Sequence, residues 1–214
     1  MSVKKVETTK YIGQEEHAGF EFLFEPIEKT ITIEKTKAGY IVKYLAQDDS
    51  GFSPEENYDV GLFLVGYHSD FTVTHNNKIP EDLARCIANK GKWEDESVDE
   101  EAKEYIEKYF IFKLEAYIHS GVSLSLSKEG NFPDRRWDVS QLGLVFVSKE
   151  ECDNKVKARK LALALIEEWN NYLSGEVYGL VRENFNEKKN RIDGEECWGY
   201  NGYKNALEAL KTVI

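Results

Sequence analysis

The chain alternates between two kinds of apolar pattern. Thr30-Ile-Thr-Ile-Glu34 and Tyr40-Ile-Val-Lys-Tyr44 alternate apolar with polar positions on either side of Lys37-Ala-Gly39. β-branched and aromatic residues around a glycine turn predict a β-hairpin. Phe20 to Phe24 reads as a short first strand, and Val60 to Tyr67 is nearly continuously apolar, as a central strand would be. Ile111 to Tyr117 is a further strand. Between Ala116 and Ser148 an alternating strand ends near Leu126, and an apolar one resumes at Leu142. The polar loop between them carries Pro133, Arg135, Arg136, Trp137 and Asp138, and the stretch predicts a hairpin-like pair of strands. Glu176 to Val181 is another strand, Asn184 to Gly194 a charged turn, and Cys197 to Tyr200 a short strand pairing back.

Helical spacing appears in separate blocks. Ile79-Pro80-Glu81-Asp82 opens a helix with proline near its first turn and acids behind it, and Asn89-Lys90-Gly91 ends it. From Asp99 an amphipathic helix would place Ala102, Ile106 and Phe110 on one face. Val156 to Tyr172 is the longest helix, with Leu161, Leu165 and Trp169 one turn apart and Ser174-Gly175 as the stop. Asn205 to Val213 closes the chain as a helix. Strands joined by turns and helices in blocks predict an α+β fold with a largely antiparallel sheet. Pro54-x-x-x-Tyr58-Asp59-Val60 is echoed by Pro133-x-x-x-Trp137-Asp138-Val139, each leading into a Gly-Leu strand, so the sheet is expected to contain two related β units. Residues 1–10 read as a polar, flexible arm and 11–214 as one domain, with a division into 11–92 and 93–214 left open.

Composition narrows the function classes. With 28 basic and 39 acidic residues among 214 and a formal charge of −11, general binding to nucleic-acid backbones is disfavoured. A basic partner remains open, as does an inhibitor that competes with nucleic acid for a basic groove. Cys86, Cys152 and Cys197 are widely spaced and odd in number, which fits neither a disulfide framework nor a zinc cage. MSVKKVETTK lacks the apolar core of a secretory signal, and no run approaches the roughly 20 apolar residues of a membrane span. The expectation is a cytoplasmic protein with no membrane partner.

Four residues carry the candidate chemistry. His68 and His119, near strand ends, together with Asp59 and Asp138 would make a site of two imidazoles and two carboxylates for a hard or borderline metal. No HxxxH or HxH spacing forces them together, and strand-capping histidines are the simpler reading. His119 and Ser120 are neighbours on extended chain and point to opposite faces, so they do not form a nucleophile–base pair. Neither a G-x-S-x-G elbow nor a phosphate-cradling glycine loop is present, and no cofactor is expected. The Tyr58-Asp59 and Trp137-Asp138 pairs suit turns in which Asp accepts backbone N–H groups and the aromatic anchors the loop. If the aromatic is exposed instead, Arg135, Arg136, Trp137 and Asp138 form a binding hot spot. Glu94, Asp95, Glu96, Asp99, Glu100, Glu101, Glu104 and Glu107 form an acidic stretch, either a solvated helix face or a surface for a basic groove. Cys197, preceded by Glu195 and Glu196, is expected to be a small buried residue, and Lys155 to Lys160 a solvated basic helix start.

In order along the chain stand Ser53-Pro54 through Tyr58-Asp59, Gly66-Tyr67-His68, His119-Ser120-Gly121, Arg136-Trp137-Asp138, Gln141-Leu-Gly143 and Ser148-Lys-Glu150. Tyr172-Leu-Ser-Gly-Glu-Val-Tyr-Gly179 and Asp193-Gly-Glu-Glu-Cys197-Trp198-Gly199-Tyr200 follow. From about residue 40 to residue 210 this order resembles a family of proteins from phages, plasmids and conjugative elements, chiefly of Firmicutes. The family more often has Trp where this chain has Tyr58, and often Asp where it has Ile118. The resemblance implies a genetic context, accessory cargo beside antirestriction or anti-CRISPR genes, rather than an activity. It does not extend to the first residues or to the acidic stretch at Glu94.

These readings lead to an expected interaction protein, a mobile-element factor that binds and blocks a host defence nuclease or another nucleic-acid-binding complex in the bacterial cytoplasm. A metal-dependent nuclease or hydrolase built on Asp59, His68, His119 and Asp138 is the alternative. A regulatory or maintenance protein of a phage or plasmid is a third. The oligomeric state is open.

Overall fold

The structure, a computed structural model, describes residues 8–10, 19–51, 53–56, 61–68, 73–74, 79–89, 96–130, 132–133 and 135–214. Its strands are β1 (Thr8–Lys10), β2 (Thr32–Lys35), β3 (Gly39–Gln47), β4 (Leu62–Gly66), β5 (Val73–Thr74), β6 (Tyr109–Ile118), β7 (Val122–Leu126), β8 (Val139–Ser148), β9 (Val177–Asn186) and β10 (Arg191–Asn201). Its helices are α1 (Glu81–Ala88), α2 (Glu96–Lys108), α3 (Lys155–Leu173) and α4 (Tyr203–Thr212), with 3-10 turns at Glu28–Thr30 and Pro54–Glu56. The fold is α+β with two antiparallel sheets, each in its own compact unit. Residues Met1–Gly51 and Gly175–Ile214 form the first unit and Phe52–Ser174 the second. A break at 92/93 would fall inside the second unit.

The first unit has strand order β1-β2-β3-β9-β10. The expected hairpin forms between β2 and β3, and Gly39 (φ +144°) makes its turn beside Phe185, whose carbonyl leaves no space for a side chain. Thr8–Lys10, which composition assigns to an arm, pairs with β2. Phe20 to Phe24 is not a strand. It is an aromatic segment laid on one sheet face, where Phe20 meets Phe185 edge-on at 4.9 Å. The charged turn expected from Asn184 to Gly194 is narrower, because β9 continues to Asn186 and β10 starts at Arg191. The physical reason is Glu183, fully buried on β9, which accepts hydrogen bonds from Tyr44 Oη (2.8 Å), Arg191 Nε and the Leu23 amide (3.2 Å). A buried carboxylate with this many donors is tolerable where an isolated one is not. On the other face α4 packs Ala206 and Leu210 against Leu45, Tyr178 and Leu180.

The second unit has order β5-β4-β8-β6-β7. β8 sits at its centre and β4 beside it, and β8 explains its own continuous apolar run. Val145 and Val147 face α3 (Ala158, Ala162, Leu165, Ile166 and Trp169), while Leu144 and Phe146 face α1 and α2. α3 starts where Asn154 accepts from the Lys157 amide and stops before Gly175 (φ +75°), as the sequence signals. On α2 the buried face carries Ala102 with Val98 and Tyr105, and Ile106 is exposed. Helical spacing alone places the face about one position too far round.

The hairpin-like pairing expected around Pro133 to Asp138 is corrected. β7 pairs with β6 through the tight turn after Ile118, and β8 pairs with the other edge of β6. β7 and β8 therefore run parallel with β6 between them, and the described residues of the crossover between Ser127 and Asp138 lie over β6. The two Gly-Leu strands of the sequence echo are antiparallel neighbours, with Leu62 opposite Val147 and Gly66 opposite Gly143. The chain thus enters β4 and β8 at opposite ends of that pair.

Candidate functional site

On β6, residues two apart share a face. Leu114 and Ala116 point into the α3 core, so Glu115 and Tyr117 face the opposite side, where His119, just past the strand, stacks beside Tyr117. Each is gripped by the crossover. Glu115, nearly buried, accepts from Arg135 Nη2 at 2.6 Å and from the Lys128 amide at 3.1 Å. Tyr117 stacks on Phe132 at 5.3 Å and 12°, and on His119 at 6.2 Å. Asp138 lies 3.8 Å from His119 Nδ1, and its carbonyl accepts from the Ile118 amide at 2.9 Å. Arg135 also donates to the Gly130 carbonyl and lies over the Phe132 ring. Lys128, with φ +69°, is the strained residue that turns the chain back.

Held in this way, the loop presents Arg136 and Trp137 outward. Trp137 is 84% exposed, the most exposed of the large hydrophobic residues described. The aromatic of the Trp-Asp pair is therefore not the loop's anchor. Glu115 and Tyr117 take that role, which the sequence reading missed. The signal for it was a carboxylate at an alternate position of an apolar strand, twenty residues before Arg135.

Of the four residues proposed for metal chemistry, the structure brings His119 and Asp138 together. His68 follows β4 and is half-buried, and Asp59 lies outside the described residues. Among the described residues no three His, Cys, Asp or Glu side chains gather as a metal site.

The acidic stretch divides. Glu94 and Asp95, and the side chain of Glu96, lie outside what the structure describes. Asp99 belongs to the α1–α2 contact rather than to an acidic face, since its carboxylate accepts from the buried Cys86 Sγ at 3.2 Å. Glu100, Glu101, Glu104 and Glu107 are exposed, and Glu104 pairs with Lys108 at 3.4 Å. Lys149 Nζ closes the end of α2 on the Ile106 and Glu107 carbonyls. Cys197, expected to be buried, is exposed, as is every residue of the edge strand β10 from Arg191 up to it.

A cavity of about 430 Å³ lies between α1 and the start of β8, lined by Tyr67, Glu81, Ala84, Arg85, Gln141 and Leu142 among others. Glu81 and Arg85 pair at its rim at 2.6 Å, and the Tyr67 hydroxyl donates to the Ile79 carbonyl. No helix among the described residues is long and apolar enough to cross a membrane. The chain matches no protein-family model, no curated protein and no solved structure.

Proposed function

We propose that this protein acts by binding, with the crossover loop as its primary contact. The observation that carries the reading is Trp137, almost fully exposed on a loop pinned from beneath by a buried carboxylate. A rigid, solvent-facing Trp beside Arg has the composition and low ordering cost of an interface anchor. In this reading the protein is a mobile-element accessory factor that blocks a host nucleic-acid-dependent defence complex. Two things support that partner class: the resemblance to phage and plasmid cargo, and the exposed acids Glu100, Glu101, Glu104 and Glu107, which suit a basic groove.

The test is affinity capture from a bacterial host, followed by competition with the purified partner. Wild-type protein should retain a nucleic-acid-binding protein and displace nucleic acid from it. Trp137→Ala should lose retention with unchanged melting temperature. Replacing the four exposed α2 acids by lysine should weaken capture most at low salt. Equal capture by Trp137→Ala and wild type would overturn the role of the loop.

The paired His119 and Asp138 favour a second reading, a metal-dependent nuclease or hydrolase. It requires stoichiometric metal in the purified protein, lost in His119→Ala.

A further inference from the structure

We infer that β10 is a docking edge, which takes an extended basic segment of a partner as an added strand. This inference stands apart from the crossover loop and does not depend on it. β10 closes the first sheet, and among the described residues it pairs only with β9. All seven residues from Arg191 to Cys197 are exposed, although alternate side chains point to opposite faces of the sheet. Among the described residues, both faces and the outer edge of this half of the strand are therefore open. Between two irregularities, at Arg191/Asp193 and Cys197/Tyr200, the register is regular from Asp193 to Cys197. A regular edge strand offers a row of backbone donors and acceptors to another strand.

What the edge accepts is set by its charge. Neither Lys nor Pro, the usual guards of an open edge, occurs in β10. Instead it carries Asp193, Glu195 and Glu196. Asp193 accepts from Asn184 Nδ2, and Glu195 lies 3.6 Å from Arg182 with its side chain 68% exposed. Glu196 points to the other face. A second copy pairing antiparallel would set the acids of one strand against those of the other, which is unfavourable. A basic extended segment meets the same backbone groups with complementary charge, and exposed Ile192 adds apolar contact. The inner end of the strand is already rigid, because Gly199 donates to Asp48 Oδ2 at 3.1 Å and Trp198 packs on Phe24.

The experiment uses the full chain and three labelled peptides of about seven residues, read by fluorescence polarisation. One alternates Lys with Val, one alternates Glu with Val, and one is the Lys peptide with alternate backbone amides methylated. The Lys peptide should bind and the other two should not. Hydrogen exchange should slow at Ile192 to Cys197, and Glu195→Lys combined with Glu196→Lys should weaken binding several-fold without changing the melting temperature. Binding that survives backbone methylation, or protection confined to other strands, would show charge attraction alone and overturn the proposal. So would an absence of binding, or a dimer in light scattering that Glu196→Pro dissolves.

Discussion

The indole of Trp198 occupies the place where Gly179 lacks a side chain. A Cβ at Gly179 would sit 2.3 Å from both Cε3 and Cζ3 of the ring. Leu180 pairs with Cys197 and Tyr178 with Tyr200, so Gly179 faces two residues, Trp198 and Gly199, across a bulge. Gly199 has φ +87°, a conformation that glycine adopts without strain. Two segments that look like separate motifs are thus one contact. Gly179→Ala should cost about 1–3 kcal/mol by overpacking. In a Trp198→Ala background the same change should cost much less, since the atoms it strikes are gone. A urea-titration double-mutant cycle measures the difference, and equal costs in both backgrounds would refute the contact.

Glu115 holds the loop that carries Trp137 from beneath, buried away from the exposed surface. Glu115→Ala removes a charge-assisted bond to Arg135 and the acceptor of the Lys128 amide. The expected loss is about 1.5–3 kcal/mol, with faster amide exchange across residues 127–138. Partner capture should fall although Trp137 is intact. Glu115→Gln keeps an acceptor for the Lys128 amide and should fall between the two. Slow exchange in Glu115→Ala would mean that the Tyr117–Phe132 stack suffices to order the loop.

Periodicity was enough to find α3, β3, β4 and β8, because each buries side chains at a fixed repeat. It could not show that β6 lies between β7 and β8, since strand order depends on contacts made far along the chain. Charged residues misled for the same reason. Glu183 falls between the expected strand and the expected charged turn until Tyr44 and Arg191 stand beside it, and Glu115 is only a polar position within a strand until Arg135 returns to it. At the site, Trp137 and Asp138 were legible together as a loop and His119 with Asp138 as part of a possible metal set, and the residues that position them were not.

Cys86 gives the second unit an alkaline limit. Burial, reinforced by its hydrogen bond to Asp99, pushes the thiol up from 9.0 to about 11. The folded state thus prefers the neutral thiol more than the unfolded chain does. The resulting stability is complete below pH 9 and is lost as pH rises through 11. Melting temperature should fall across that window, and Cys86→Ala should flatten the slope, leaving the contribution of Tyr67, itself raised to about 12. Near neutral pH, maleimide should label the exposed Cys197, while Cys86 and Cys152 should react only on unfolding. An unchanged alkaline slope in Cys86→Ala would place the linkage elsewhere.

Asn170 closes the free edge of β7. β7 ends the second sheet, and α3 lies against it. The Leu124 amide donates to Asn170 Oδ1 at 2.7 Å, and Asn170 Nδ2 donates to the Leu124 carbonyl at 3.0 Å. One side-chain amide thereby acts as the missing neighbour strand. Asn170→Ala should leave both backbone groups unpaired under the helix, at a cost of about 1–3 kcal/mol for each one that water does not reach. Asn170→Asp keeps an acceptor for the amide but sets a second oxygen against the Leu124 carbonyl. Protonation of the introduced carboxyl restores a donor, so its folded pKa should lie above its unfolded one. The variant should therefore gain stability relative to wild type as pH falls through that folded value, and lose it again as pH rises. Thermal melts of both proteins from pH 4 to 7 measure this, and parallel curves would show that the amide at residue 170 does not bond to the edge.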